Sequence, residues 1–368
     1  MGIPEKIKSI RDEIANTPVN KSTEHHIGLL KAKLAKLKKE QEEKKSKSSK
    51  SSKGFDVRRT GDAKVVIIGL PSVGKSTLLN RLTNAKSPVA VHLFTTVTVV
   101  PGMMDYKGAK IQILDLPGII KGASSGRGLG KRILSVARGA DLVLLVLDVF
   151  QPHHENVLRT ELANIGIRLD QNPPDIVIEK TSGGGISVVQ QARLTKMSVS
   201  LLKDVLRVYG INNGRVVIRE DIDSDQLIDY ISGNTTYAES VTVMNKIDLV
   251  NQGFVNELEE KSNWKFIPVS AETNTNITAL KEKIYETLDF IRIYMRPKGG
   301  KTDYEEPLIV RKDSTILEVC NKIHRNVKRE FRFGMVWGKS VKFGGQRVGL
   351  NHILQDEDVL TIVKTRRA

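Results

Sequence analysis

The chain has 368 residues, 39% hydrophobic and 27% charged, which supports two or three globular cores and excludes wholesale disorder. The longest apolar run, Leu142 to Leu147, is far short of the ~20 residues that cross a bilayer; the N-terminus lacks a signal-peptide pattern, and the single cysteine, Cys320, excludes an intrachain disulfide framework, so a soluble intracellular protein is expected. The net charge of +16 sits at the ends: residues 1–60 hold 16 Lys+Arg against 8 Asp+Glu, residues 291–368 hold 17 against 9, and the middle holds 25 of each. Basic ends on a neutral body suit contact with a polyanion, with solvated surface as the plainer reading.

From the start, Ile3, Ile7, Ile10 and Ile14 recur at helical spacing. Asn16 to Asn20, with Pro18, interrupts the pattern, and Ile27, Leu30, Leu34 and Leu37 mark a second stripe. Lys31, Lys33, Lys36, Lys38 and Lys39 occupy its remaining faces, which predicts a two-helix hairpin with a basic outer surface. Gln41 to Gly54 collapses to Lys, Ser and Glu and reads as a flexible linker. Residues 1–54 thus form a helical hairpin and tether.

The period then changes. Ala63–Leu70, Ile111–Leu114, Leu142–Val149 and Val241–Met244 are short apolar runs between helical stretches, the pattern of buried parallel strands. Between 175 and 232 come a strand at Ile176–Glu179, a triple-glycine turn, a helix near Ser198–Tyr209, a strand at Val216–Arg219 and an acidic helix at Asp223–Tyr230. This predicts an α+β unit inserted into a nucleotide-binding domain that spans 55–174 and 233–290. A last unit, 291–368, reads as strand (Pro307–Arg311), helix (Ile316–Glu330) and short strands.

Gly69-Leu70-Pro71-Ser72-Val73-Gly74-Lys75-Ser76 fits the phosphate-binding pattern GxxxxGK[ST] between an apolar strand and a helix. The chance of such a match in a chain this long is roughly one or two per cent. Gly69 and Gly74 let the backbone curl so that N–H groups of Pro71–Thr77 other than proline's face phosphate oxygens. Lys75 is expected to bridge the β- and γ-phosphates and Ser76 to ligate Mg²⁺. Asn245-Lys246-Ile247-Asp248, after a buried strand, selects the base: Asp248 accepts from N1–H and the exocyclic amine of guanine, and adenine would leave it unpaired. Ser270-Ala271-Glu272 presents the Ala271 N–H to guanine O6. The expectation is GTP rather than ATP.

Asp115-Leu116-Pro117-Gly118 completes the set, with Asp115 holding Mg²⁺ through water and the Gly118 N–H sensing the γ-phosphate. Thr96 is the switch threonine expected to meet Mg²⁺ and the γ-phosphate, so that loss of that phosphate releases both segments. Lys75, Thr96 and Gly118 are the catalytic candidates. Ile119 stands where Ras-type GTPases carry a glutamine that orients water, and a hydrocarbon does not polarise water, so slow intrinsic hydrolysis is expected. His25-His26 and His153-His154 read as helix surface, Cys320 as core, and Trp337 as packing with basic neighbours.

Together these residues resemble the developmentally regulated GTP-binding protein family within the Obg-like GTPases. The similarity is carried by GLPSVGKSTLLN at 69–80, FTTVTVVPG at 94–102, LDLPGIIKGASSGRGLG at 114–130, NKID at 245–248 and SAE at 270–272. IRIYMRPKGGKTDYEEPLIV at 291–310 and EFRFGMVWGKSVKFGGQRVGL at 330–350 resemble its TGS domain. The resemblance implies an α/β fold: a P-loop GTPase domain, mostly parallel with helices on both faces, an inserted α+β domain, an N-terminal helical hairpin and a C-terminal β-grasp. It further implies a cytoplasmic GTPase that works with ribosomes or ribosomal RNA through its basic ends, in a family whose eukaryotic members work with a dedicated stabilising partner protein; no membrane contact is expected, and nothing in the sequence argues against a monomer. GTP, GDP and Mg²⁺ are the implied ligands. Potassium, which assists related GTPases lacking the glutamine through a P-loop asparagine, is left open by Ser72 at that position.

Overall fold

The computed structural model describes residues 2–48, 60–83, 92–94, 97–116 and 136–365. The chain divides into two compact units, residues 1–55 with 162–237 and residues 56–161 with 238–368. The inserted segment expected at 175–232 lies within the first. In chain order the strands are β1 (Ala63–Ile68), β2 (His92–Phe94), β3 (Val97–Tyr106), β4 (Ala109–Asp115), β5 (Leu142–Asp148), β6 (Ile167–Leu169), β7 (Ile176–Lys180), β8 (Ile186–Gln190) and β9 (Gly214–Ile218). They continue as β10 (Thr236–Asn245), β11 (Ile267–Pro268), β12 (Phe290–Met295), β13 (Leu308–Arg311), β14 (Phe331–Trp337), β15 (Gln346–Val348) and β16 (Asp358–Lys364).

The large sheet of the second unit follows the order β11-β10-β5-β1-β4-β3-β2. It is parallel from β11 to β4 and antiparallel beyond, so the P-loop strand β1 lies between β4 and β5, with Val65 opposite both Ile113 and Leu142. Every β1 side chain is buried. Val65 and Ile67 pack with Leu78 and Leu82 of the helix Lys75–Leu82 and with Leu280 and Ile284 of the helix Ile277–Thr287. Val66 and Ile68, which point the other way, are equally inaccessible. Both sheet faces are therefore covered, which is why the strands read as continuous apolar runs. The chain leaves β1 toward strands on both sides, and the crevice at the strands' C-terminal ends is where α/β sheets take ligands.

The β-grasp in the same unit has the order β13-β12-β16-β14-β15. The helix Ile316–Ile323 closes its core, with Ile316, Val319 and Cys320 against Ile293, Val336 and Leu360. Cys320 is a core residue, as its sequence setting suggested, and burial raises its thiol pKa. The single helix expected over 316–330 is instead two, parted at His324, whose extended backbone and ring Nδ1, accepting from the Asn326 N–H, start the second helix Arg325–Glu330. Ile309 of β13 joins the large-sheet core beside Tyr106 and Phe290. Arg311 pairs with Asp141 at 2.5 Å and Lys322 with Asp62 at 2.7 Å. Asp62 and Asp141 directly precede β1 and β5, so these two ion pairs fasten the β-grasp at the N-terminal ends of the strands.

In the first unit, the helices Ile3–Asn16 and Glu24–Ser48 form the expected hairpin. The second helix continues through Gln41–Ser48, where the sequence reads as linker; Gln, Glu and Lys are good helix formers, so low complexity alone does not end a helix. Its Leu29, Ala32 and Ala35 pack into the core made by the three-stranded sheet β7-β9-β8 and the helices Val199–Val208 and Ser224–Ser232. At Gly28 the helix lies close against Leu201: a Cβ there would fall 2.9 Å from a Leu201 methyl.

The basic outer face predicted for this hairpin is only partly outward. Lys31 pairs with Asp225 at 2.7 Å, while the Lys36 ammonium donates to the Val208 carbonyl at 2.8 Å and that of Lys39 to the Ser232 carbonyl at 3.0 Å. Val208 and Ser232 end their helices, so each lysine meets an otherwise unsatisfied carbonyl at the negative end of a helix dipole. His25 and His26 lie against Asp204 and Glu13.

Candidate nucleotide site

The P-loop leaves β1 at Gly69, whose Cβ, had it one, would fall 2.5 Å from the Val146 carbonyl oxygen. Ser72 and Gly74 take left-handed φ values of 64° and 89°, curling the loop before the helix Lys75–Leu82 begins. A Cβ on Gly74 would come within 2.3 Å of the Asn245 amide nitrogen, so glycine is required there on both counts. Lys75 is buried, and its ammonium donates to the Leu70 carbonyl at 2.8 Å. Burial lowers its pKa, and the Asp115 charge opposes the shift.

Asp115 ends β4. Its Oδ2 accepts from the Ser76 hydroxyl at 2.7 Å, whereas Oδ1 is buried without a hydrogen-bond partner among the described residues. Burial pushes the carboxyl above its ordinary range, opposed by the Ser76 bond and the Lys75 charge. An orphaned anionic oxygen beside a hydroxyl is a donor set suited to a hard divalent cation. The residues present therefore fit Mg²⁺.

Asn245, fully buried at the end of β10, ties three segments together. Its Nδ2 donates to the Val73 carbonyl at 2.8 Å, and its Oδ1 accepts from the Ala271 N–H at 3.0 Å. The P-loop, the 245–248 turn and the 270–272 loop are thus joined through one amide. Lys246 follows in a left-handed conformation, and the 3-10 turn Ile247–Leu249 presents Asp248 to solvent. Asp248, the expected acceptor for guanine, is exposed without a base over it, and a bound base is what would cover it. Ser270 is buried and its hydroxyl accepts from the Thr273 N–H at 3.0 Å, closing the 270–275 loop.

Pro71 and Thr77 are exposed along the phosphate loop, and Glu272 is exposed beside Ala271. Thr96, Pro117, Gly118 and Ile119 lie outside the described residues. Two participants were missed by sequence reasoning. Arg81, in the last turn of the P-loop helix, donates to the carbonyls of Ala271 and Glu272, both at 2.8 Å. Asp148, at the end of β5, pairs with Lys246 at 2.6 Å. An acid closing a parallel strand was the available signal for Asp148; a lone helix arginine gave none.

Residues 64–180 match the family described as "50S ribosome-binding GTPase", residues 183–290 match the C-terminal region of that domain, and residues 291–364 match the TGS domain. An uncharacterized GTP-binding protein of Methanocaldococcus jannaschii is 50% identical over 100% of this chain and 94% of its own. The developmentally-regulated GTP-binding protein 2 homolog of Dictyostelium discoideum is 43% identical over 99% of this chain and 100% of its own. The chain belongs to the developmentally regulated GTP-binding protein family. The human developmentally-regulated GTP-binding protein 2 is likewise 43% identical, over 99% of this chain and 100% of its own. As a member of the developmentally regulated family, this chain is a GTP-binding protein with a GTPase domain and a TGS domain. Among the described residues no helix is long and apolar enough to cross a membrane.

Proposed function

We propose that this protein binds GTP with Mg²⁺, hydrolyses it slowly to GDP and phosphate, and uses the difference to set its affinity for the ribosome or its RNA in the cytoplasm. The observation that carries the reading is the Asn245 amide, which joins the phosphate loop to both base-recognition loops in one buried cluster. Asp248 is the acceptor for guanine N1–H and the exocyclic amine, and the Ala271 N–H, which donates to Asn245 Oδ1 when no base is bound, would turn to guanine O6. Ser76 and Asp115 would hold Mg²⁺, which when bound neutralises charge on the phosphate oxygens.

Lys75 exchanges the Leu70 carbonyl for phosphate oxygens, which favours its charged form again after burial has disfavoured it. Thr96 and Gly118 are assigned to the γ-phosphate, and their release after hydrolysis is the switch. Slow turnover follows from Ile119 after Gly118. Potassium is the assisting cation to test, and Ser72 stands where related GTPases carry the asparagine that helps to bind it.

The ribosomal part of the reading is supported by the charge distribution and by the description of the matched GTPase family. Because Lys31, Lys36 and Lys39 bond within the first unit, the exposed basic residues of the β-grasp, Arg332, Lys339, Lys342 and Arg347, are the better candidates for a polyanion. The rival reading, a scaffold in which GTP is structural, is favoured by Ile119 alone. Co-sedimentation with ribosomes in GDP, GTP and a non-hydrolysable analogue separates the two. State-dependent sedimentation together with phosphate release supports the switch, and identical sedimentation in all three states contradicts it.

A further inference from the structure

We infer that Asp148 is a positioning residue for guanine recognition, acting through Lys246; the inference rests on the guanine-nucleotide reading above. Asp148 lies directly opposite Asn245 in the β5/β10 register, and the Val149 N–H donates to the Asn245 carbonyl at 3.1 Å. The two strands are therefore still paired where the base-recognition turn begins. The next residue, Lys246, has φ of 69°, a region that residues with a Cβ adopt only when something holds them there.

Asp148 supplies that hold. Its Oδ2 accepts from the Lys246 ammonium at 2.6 Å, and its Oδ1 accepts from the Phe150 N–H at 3.0 Å. Both oxygens are engaged, so the carboxylate is fixed in place. The pair is shielded, with side chains 32% and 15% exposed for lysine and aspartate, unlike a fully solvated surface pair that contributes little.

Asp248 follows Lys246 by two residues in the Ile247–Leu249 turn. The torsions of Lys246 therefore set where its carboxylate points. Two simultaneous hydrogen bonds to guanine tolerate only a few tenths of an ångström of drift before one is lost. A residue that fixes Lys246 thus fixes the geometry on which discrimination depends, without touching the base.

The test uses the full chain and calorimetric Kd values for GDP and for inosine diphosphate, whose base lacks the exocyclic amine and so makes one bond to Asp248 rather than two. Asp148→Asn retains an acceptor for the Phe150 N–H and replaces the charged acceptor facing Lys246 with a neutral amide group. It is expected to weaken GDP about tenfold and inosine diphosphate about threefold, narrowing the preference about threefold. In Asp148→Asn combined with Lys246→Met, the loss should be no greater than in Lys246→Met alone, because one acts through the other. Asp148→Glu should recover part of the preference.

An unchanged preference in Asp148→Asn, or losses that multiply in the double variant, overturns the inference. Should Asp148→Asn fail to fold, Lys246→Met by itself must narrow the same preference, and an unaltered ratio overturns the inference equally. Wild-type protein that does not favour GDP over ADP removes the guanine reading and this inference with it. Wild-type preference that survives every variant removes only the inference.

Discussion

Asn245→Ala perturbs the site at the point where its loops meet. The side chain is buried, and its loss strands two backbone groups that water does not reach readily: the Val73 carbonyl, 2.8 Å from Nδ2, and the Ala271 N–H, 3.0 Å from Oδ1. Leaving a buried donor or acceptor unpaired costs about 1–3 kcal/mol, so the two together amount to about 2–6 kcal/mol. Part of that loss falls on the nucleotide-free fold. The rest falls on binding, since the loops no longer arrive preorganised and the ligand must order them.

Denaturant unfolding of wild type and variant, with and without saturating GDP, divides the two shares. The expected result is a drop of about 1–3 kcal/mol in the ligand-free protein and at least a tenfold weaker GDP Kd. Asn245→Asp refines the test, because it keeps the acceptor for Ala271 but sets a carboxylate against the Val73 carbonyl; it should bind no better than the alanine variant. Unchanged Kd values in both variants would refute the view that this amide assembles the pocket.

Three further outcomes follow from the geometry. Asp115→Asn should abolish the tightening of GTP binding by Mg²⁺; and because burial raises the Asp115 pKa above 3.8, protons compete with the metal, so in wild type the Mg²⁺ effect should fade as pH is lowered toward that raised value and be complete well above it, as calorimetry across pH would record. Lys36→Met with Lys39→Met removes two donors to helix-terminal carbonyls and should lower stability by about 1–2 kcal/mol in denaturant titration while leaving the GDP Kd unaltered. Phosphate release measured in KCl and in NaCl at equal ionic strength should be faster in KCl, and equal rates would remove potassium from the account.

The parts of this molecule legible in its sequence are those where one residue type answers one physical demand. Buried parallel strands announce themselves as unbroken apolar runs, so β1, β4, β5 and β10 were found, and the P-loop glycines follow from positive φ and close approach at Gly74. Partnership is harder to read. Lys31, Lys36 and Lys39 look like solvated charge until tertiary structure sets carbonyls and Asp225 against them. The Gln41–Ser48 segment looked like a tether, yet every residue type in its first half is compatible with helix, and propensity over length decided the matter. His324 divided an expected helix because a side-chain acceptor in an extended residue starts a new turn, a choice that periodicity does not reveal. Asp148 and Arg81 were overlooked for the same reason: their role lies in what they touch across the fold.

The claim on which the account turns is that Asp248 reads guanine. The measurement is calorimetric binding of GTP, ATP and xanthosine triphosphate to wild type and to Asp248→Asn in Mg²⁺. Xanthine carries an oxygen where guanine has its amine, so an asparagine donor should suit it better than the carboxylate does. The account predicts strong GTP preference in wild type and a shift of at least a hundredfold toward xanthosine triphosphate in the variant, as expected for a site left with mismatched polar groups. Equal affinity of wild type for GTP and ATP, or a variant that still favours GTP, would contradict it.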